Sequence, residues 1–218
     1  PVSSMTELET SVGRYRAPTG FAGALANTFL AAITIVGCAW ALGIHNMLGL
    51  VLFKEQFLAL MFALGLAGTF VVAKPALSAS ASRLAWFDWV CLGLSLMVGG
   101  YVAIGYPVLS ADSASLAPQR WILGLVALFL IFEATRRLMG WSLIVISVVF
   151  LVYARYSDLF PGLLNLPSSS WQRISVYVFL DTNGLFGTTL DVAATTIVSF
   201  ILFGAVLTAV RGDRFVTD

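Results

Sequence analysis

The chain has 218 residues, of which 59% are hydrophobic and 11% are charged, and its net charge is +1 at pH 7. Average soluble domains carry about 25% charged residues, so this composition indicates an integral membrane protein covered mostly by lipid. The charge balance gives no sign of a nucleic-acid partner, and one histidine with two cysteines is too small a ligand set for a zinc or iron site. No phosphate-binding loop, paired-histidine motif or nucleophile elbow is present. We therefore expect no enzyme activity, no metal and no cofactor on this chain.

Uncharged apolar runs predict an all-α fold with about six transmembrane helices and one interfacial helix, because a span needs about 20 mostly apolar residues. The six spans are expected at Phe21–Ile44, Gln56–Ala73, Trp89–Tyr106, Trp121 to about Arg137, Trp141 to about Arg155, and Val192–Val210. Pro107 is expected to end the third span. The fourth span includes Arg136 and Arg137, whose side chains are expected to reach the membrane surface.

The segment between the fifth and sixth spans, about 168–188, is expected to contain an amphipathic helix that lies in the membrane interface. Ser168 or Ser169 could cap its first turn. The side chains predicted to share one face of this helix are Ile174, Tyr177, Val178 and Leu180.

The distribution of positive charge predicts that both ends of the chain are cytoplasmic, with residues 1–20 as a cytoplasmic tail. With that orientation eight Lys and Arg lie on the cytoplasmic side and four on the other. The eight are Arg14, Arg16, Lys74, Arg83, Arg136, Arg137, Arg211 and Arg214; the four are Lys54, Arg120, Arg155 and Arg173.

Ionisable residues within the apolar runs are the first candidates for function, because charge in a membrane is costly. Asp88 is interpreted as an interface residue near a helix N-terminus. Glu133 stands three and four residues before Arg136 and Arg137, a spacing that permits helical ion pairs. Together with Trp141, these residues form either a local anchor of the helix end or a docking contact with another subunit.

A second candidate is the irregular stretch that contains Asp181, Asn183, Gly184 and Gly187. Glycines, Asn and Asp favour irregular backbone, and such backbone is tolerated at membrane depth only where protein or water covers it. The alternative is a simple turn before the sixth span.

Three stretches together resemble the fused permeases of tripartite ATP-independent periplasmic (TRAP) transporters, of the type associated with TAXI binding proteins. They are the Glu-Ala-Thr-Arg-Arg string of 133–141, the Leu-Phe-Pro-Gly of 153–162, and the glycine motifs of 184–187, 202–205 and 212–215. The sequence departs from the family pattern at Asn183, where an acidic residue is usual, and at Asp191, where Gly is usual.

The resemblance implies a small four-helix domain at 21–139 and the opening helices of a large twelve-helix permease domain at 140–218. It also implies a bacterial inner-membrane location, a periplasmic substrate-binding protein as partner, and sodium and substrate sites on the large domain beyond Asp218. By this resemblance the chain is the scaffold component of a sodium-coupled symporter for small organic acids or amino acids. One arginine of the pair would bind Glu133, and the other would anchor the junction of the two domains. The alternative is a structural or assembly subunit of another membrane complex.

Overall fold

The computed structural model describes Tyr15 and residues 20–75, 85–111, 116–162 and 165–210. In these residues the regular structure is helical, apart from an isolated bridge between Tyr15 and Ala73. The α-helices are α1 Phe21–Ala41, α2 Ile44–Met47, α3 Lys54–Val72, α4 Trp86–Ala111, α5 Pro118–Met139, α6 Trp141–Tyr156, α7 Trp171–Leu180, α8 Thr188–Val192 and α9 Val198–Ala209. A 3₁₀ turn follows α6 at Ser157–Leu159, and a π-helical segment, Ala193–Ile197, joins α8 to α9.

Five helical stretches of the described chain are long and apolar enough to cross a membrane. They are Phe21–Ala41, Lys54–Val72, Trp86–Ser110, Trp141–Leu159 and Thr188–Ala209. The other long helix, α5, has 22 residues but carries four charged side chains among them. The all-helical fold and the membrane-crossing character predicted from the sequence are therefore confirmed at the level of five such helices.

Helix α3 forms the centre of the bundle and packs against α1 and α4. Its buried side chains, among them Phe62 and Phe70, join residues of α4 and α5 in one apolar core. Helix α4 approaches α3 closely at Gly99, where a Cβ atom would lie 2.7 Å from the carbonyl oxygen of Ala59. A small residue at this crossing lets the two backbones approach, as in many membrane helix pairs.

Pro107 lies inside α4 rather than at its end, contrary to the sequence prediction. A proline leaves the carbonyl four residues earlier without its helical donor. Here that carbonyl, of Ala103, accepts a hydrogen bond from Nε2 of Gln56 on α3 at 2.7 Å. The neighbouring helix thus satisfies the freed oxygen, and α4 continues for another turn.

Helix α7 also differs from its prediction. Ser170, not Ser168 or Ser169, is its N-cap, and the Ser170 side chain accepts a hydrogen bond from the Arg173 amide. Of the side chains predicted to share one face, Ile174 is buried and Tyr177 is exposed, and Ser175 and Phe179, which lie outside that set, are buried as well. The buried face packs against the start of α5, so tertiary contact rather than apolar periodicity decides which side of α7 is covered.

Candidate functional site

Charged side chains from two helices converge at one end of the bundle. The last two turns of α5 carry Glu133, Arg136 and Arg137, and the first turn of α4 carries Asp88. The residues that follow α3 pass beside them. Successive helices run in opposite directions, so the end of α5 and the start of α4 meet at the same end of the bundle. We call these four residues the ion network.

Glu133 lies at the centre of the ion network and binds both arginines. Its Oε1 accepts hydrogen bonds from Arg136 Nη2 at 2.7 Å and from Arg137 Nε at 2.8 Å. Its Oε2 accepts from Arg136 Nε at 2.8 Å, which makes the Arg136 contact bidentate. The expectation that only one arginine would pair with Glu133 was therefore wrong, because i,i+3 and i,i+4 neighbours both lie within reach on one helix face.

Arg137 connects α5 to the start of α4. Its Nη1 lies 2.7 Å from Asp88 Oδ1, and both side chains have no solvent exposure. The same Nη1 donates to the carbonyl oxygen of Ala73 at 3.2 Å, and Arg136 Nη2 donates to that of Pro75 at 3.0 Å. The network thus joins α5, α4 and the chain segment that leaves α3.

Aromatic rings enclose the Arg137 guanidinium. Its Cζ atom lies 5.0 Å from the ring centroid of Phe70 and 5.9 Å from that of Phe87. Within the described part of the chain, Nη2 of Arg137 has no hydrogen-bond partner. A planar guanidinium stacks on rings more readily than an ammonium does, which favours arginine over lysine at this position.

These positions bear on two sequence interpretations. The Arg137 side chain is enclosed by protein and does not extend to the protein surface, contrary to the expectation. Asp88 lies in the first turn of its helix, as expected, and accepts a hydrogen bond from the Ala85 amide at 3.1 Å, but its side chain is fully buried within the protein. The signal for the Asp88–Arg137 pair was present in the up-and-down order of the helices, which puts both residues at the same end of the bundle.

Trp141 lies outside the ion network. It begins α6 after Gly140, whose φ of 88° marks the turn from α5, and its side chain is exposed. The structure thus brings Glu133, Arg136 and Arg137 together and leaves Trp141 on the surface near them.

The stretch that contains Asp181, Asn183, Gly184 and Gly187 forms a tight turn between α7 and α8. Asp181 Oδ1 accepts hydrogen bonds from the Asn183 amide at 2.8 Å and from its Nδ2 at 3.1 Å. A Cβ atom on Gly184 would lie 2.5 Å from the Val178 carbonyl oxygen, and one on Gly187 would overlap the carbonyl oxygen of Thr182. Backbone contact therefore requires both glycines.

The neighbouring Phe186 fixes this turn to the bundle. Its side chain is buried, and its ring centroid lies 5.7 Å from that of Phe62 on α3 and 5.7 Å from that of Phe179 on α7. A further ion pair, which the sequence analysis missed, joins Lys54 Nζ of α3 to Asp191 Oδ2 of α8 at 2.6 Å. Both contacts hold the start of the last long helix against α3.

The turn and the ion network lie far apart. Helix α7 contacts the start of α5, where Ser175 Oγ donates to the Trp121 carbonyl oxygen at 2.8 Å. From Trp121 to Arg137 an α-helix rises about 24 Å. The two groups of candidate residues are consequently at opposite ends of α5, and each forms a separate site.

The chemistry of the ion network is structural in character. Two guanidinium groups and two carboxylates balance each other, and each carboxylate binds at least one guanidinium. Among the residues that the structure describes, no group of three or more His, Cys, Asp or Glu side chains could hold a metal ion. No family model, curated protein or solved structure matches this chain.

Proposed function

We propose that the chain is the scaffold membrane component of a sodium-coupled, binding-protein-dependent secondary transporter for small organic acids or amino acids. Its partners are a large twelve-helix permease domain and a periplasmic substrate-binding protein, in a bacterial inner membrane. The motifs of 133–141, 153–162 and 184–215 resemble TRAP permeases and support this proposal. The chain itself has no catalytic role and holds neither sodium nor substrate.

One observation carries the scaffold role: the buried, charge-balanced ion network that joins α4, α5 and the end of α3. Breaking a buried ion pair is costly, so such a network favours one fixed helix arrangement over rearrangement. A fixed helix arrangement suits a scaffold domain, because a second domain that carries substrate can move against it. Transport sites in secondary transporters are usually built from broken helices at mid-membrane, whereas these charges lie at helix ends.

Within the ion network, Arg136 is the residue that we assign to the domain junction. Its side chain retains 29% exposure while it binds Glu133, whereas the Arg137 side chain has none. Replacing Arg136 with Gln should therefore reduce co-purification of the chain with the large permease domain in detergent. Trp141, exposed nearby, belongs to the same junction. For a Trp141→Ala change, the matched control is Trp86→Ala, because Trp86 is also an exposed tryptophan at the start of a helix.

The proposed topology has six crossings, which are the five apolar stretches and α5 between them. Helix α7 is the interfacial segment, and both chain ends are in the cytoplasm. Helix α5 would be about 33 Å long, sufficient for a hydrocarbon core of about 30 Å. Pairing within the ion network reduces the cost of its charges. Single cysteines at Ser4 and Thr217 should both resist an impermeant reagent in intact cells. Labelling at only one end would show an odd number of crossings.

The proposed domains are a small four-helix domain at 21–139 and the opening helices of the large domain at 140–218. The structural or assembly subunit of another complex is the competing function, and the ion network suits it equally well. Sodium-driven uptake separates the two. Proteoliposomes that contain this chain, the large permease domain and the binding protein should accumulate radiolabelled substrate with an inward sodium gradient. The chain alone should not. Robust uptake by the chain alone, or none by the complete system, would contradict the proposal.

A further inference from the structure

The connection between α1 and α3, residues 42–53, carries an exposed apolar surface that the proposed function does not explain. These twelve residues contain no Lys, Arg, Asp or Glu. Several large apolar side chains point outward, with Val51 93%, Met47 84% and Leu48 69% exposed. Connecting segments in water are normally polar, and contiguous exposed apolar surface marks a site that something covers.

The backbone of this connection is hydrogen-bonded within itself. The amides of residues 46–50 all donate to carbonyl oxygens of Gly43, Ile44, His45 or Asn46, at 2.9 to 3.3 Å. Gly43 and Gly49, with φ of 65° and 69°, allow the two reversals that this compact shape needs. At the far end, the Phe53 amide donates to Gln56 Oε1 at 2.9 Å.

Stacked rings fix the connection to the bundle. The His45 ring lies 4.3 Å from that of Trp40 on α1, and the Trp40 ring lies 4.4 Å from that of Phe57 on α3. The planes are nearly parallel, at 8° and 7°. The connection is thus held in a defined position, with Met47, Leu48 and Val51 turned away from the bundle.

We infer that residues 42–53 lie in the membrane interface between two spans and insert their exposed apolar side chains into the acyl-chain boundary of the bilayer. Backbone close to lipid needs most of its polar groups satisfied internally, and the amides of residues 46–50 and of Phe53 are satisfied within the protein. At the headgroup–acyl boundary water can reach remaining amides such as those of Val51 and Leu52. The exposed surface also continues from the outer face of α1, where Ile35 is exposed, to Leu42, the first residue of the connection, which is exposed as well. Lipid that covers α1 would cover the connection next.

The charged boundary fits the same arrangement. Lys54, the first charged residue after the connection, retains 53% exposure while it binds Asp191. A lysine at this position can extend its ammonium group to the membrane surface above an apolar loop. The alternative is that a partner protein covers the connection. A fluorescence experiment shows whether each position faces lipid or water.

The test uses the full chain in lipid nanodiscs, with a polarity-sensitive fluorophore on single cysteines at Val51 and, independently, at Met47. Cys38 is replaced by Ala, and Cys91 stays because it is fully buried. Ile104, 85% exposed on α4, is the lipid-facing reference. Ser168, exposed in the polar segment before α7, is the water-facing reference.

Phospholipids with a nitroxide on the acyl chain should quench the fluorophore at V51C and at M47C as strongly as the fluorophore at I104C. Aqueous iodide should quench the fluorophore at V51C and at M47C as weakly as it quenches the one at I104C. S168C should show the reverse pattern. The inference is overturned if iodide quenches V51C and M47C as it does S168C, since the connection then faces water and its apolar surface awaits a protein. Neither result depends on transport, so this experiment is independent of the proposed function.

Discussion

Replacing Asp88 with Asn tests whether the ion network determines the stability of the bundle. The change removes one charge but keeps an oxygen that can accept from the Ala85 amide, so the helix start is preserved. It leaves the Arg137 guanidinium enclosed without its 2.7 Å carboxylate partner. Breaking a buried ion pair by removing one partner costs about 3–5 kcal/mol.

We expect the lower part of that range for Asp88→Asn, about 3 kcal/mol. Arg137 keeps Glu133 through Nε and the Ala73 carbonyl oxygen through Nη1, so its charge is not fully uncompensated. Neither Asp88 nor Arg137 is exposed, so water does not weaken the lost contact. The matched control is Asp191→Asn, whose partner Lys54 is half exposed. That change should cost no more than about 1 kcal/mol.

The assay is reversible unfolding of the purified chain in mixed micelles, titrated with sodium dodecyl sulfate and followed by tryptophan fluorescence. A double variant, Asp88→Asn with Arg137→Met, removes both charges and should cost clearly less than the sum of the two single changes. A cost below about 1 kcal/mol for Asp88→Asn, with additive single changes, would refute the reasoning. Arg137 would then be hydrated rather than dependent on its carboxylate partner.

Three further predictions use the same assay. Arg137→Lys should lower the free energy of unfolding by about 1.5–3 kcal/mol, because one ammonium cannot span both carboxylates and a charged hydrogen bond is lost. Arg136→Lys, at a more exposed site, should lower it by about 1 kcal/mol or less. Equal losses would contradict the idea that Arg137 matters more to stability than Arg136. Gly124→Ala should lower the free energy of unfolding by about 1–3 kcal/mol, because the added Cβ would meet the backbone of α7. Gly204→Ala, in open space, should be neutral or stabilising. No loss of stability in Gly124→Ala would show that α7 can move away. Lys54→Gln should lower stability by no more than about 1 kcal/mol, and a larger loss would mean that its ion pair with Asp191 is shielded from water.

The candidate residues were partly accessible to sequence reasoning. Helical spacing was sufficient to place Glu133 against the arginines, since i,i+3 and i,i+4 neighbours share a face in any α-helix. The burial of Asp88 was not predicted, because its partner, Arg137, lies 49 residues away and on another helix. The local sequence around each residue predicts a helix end but says nothing of the distance between helices. The burial of Asp88 and Arg137 against each other could therefore not be predicted from it.

The sequence by itself determined the fold class and the helical segments, because long uncharged runs must satisfy their backbone hydrogen bonds internally where lipid replaces water. It also determined that the turn after α7 needs glycine-rich, irregular backbone. Only the tertiary structure decided that Pro107 stays within α4, because the compensating donor is Gln56 on a neighbouring helix. Contact between helices likewise decided which face of α7 is covered and that Arg137 is enclosed by rings and carboxylates. These outcomes depend on side chains that are distant in sequence and adjacent in space, and packing alone brings them together.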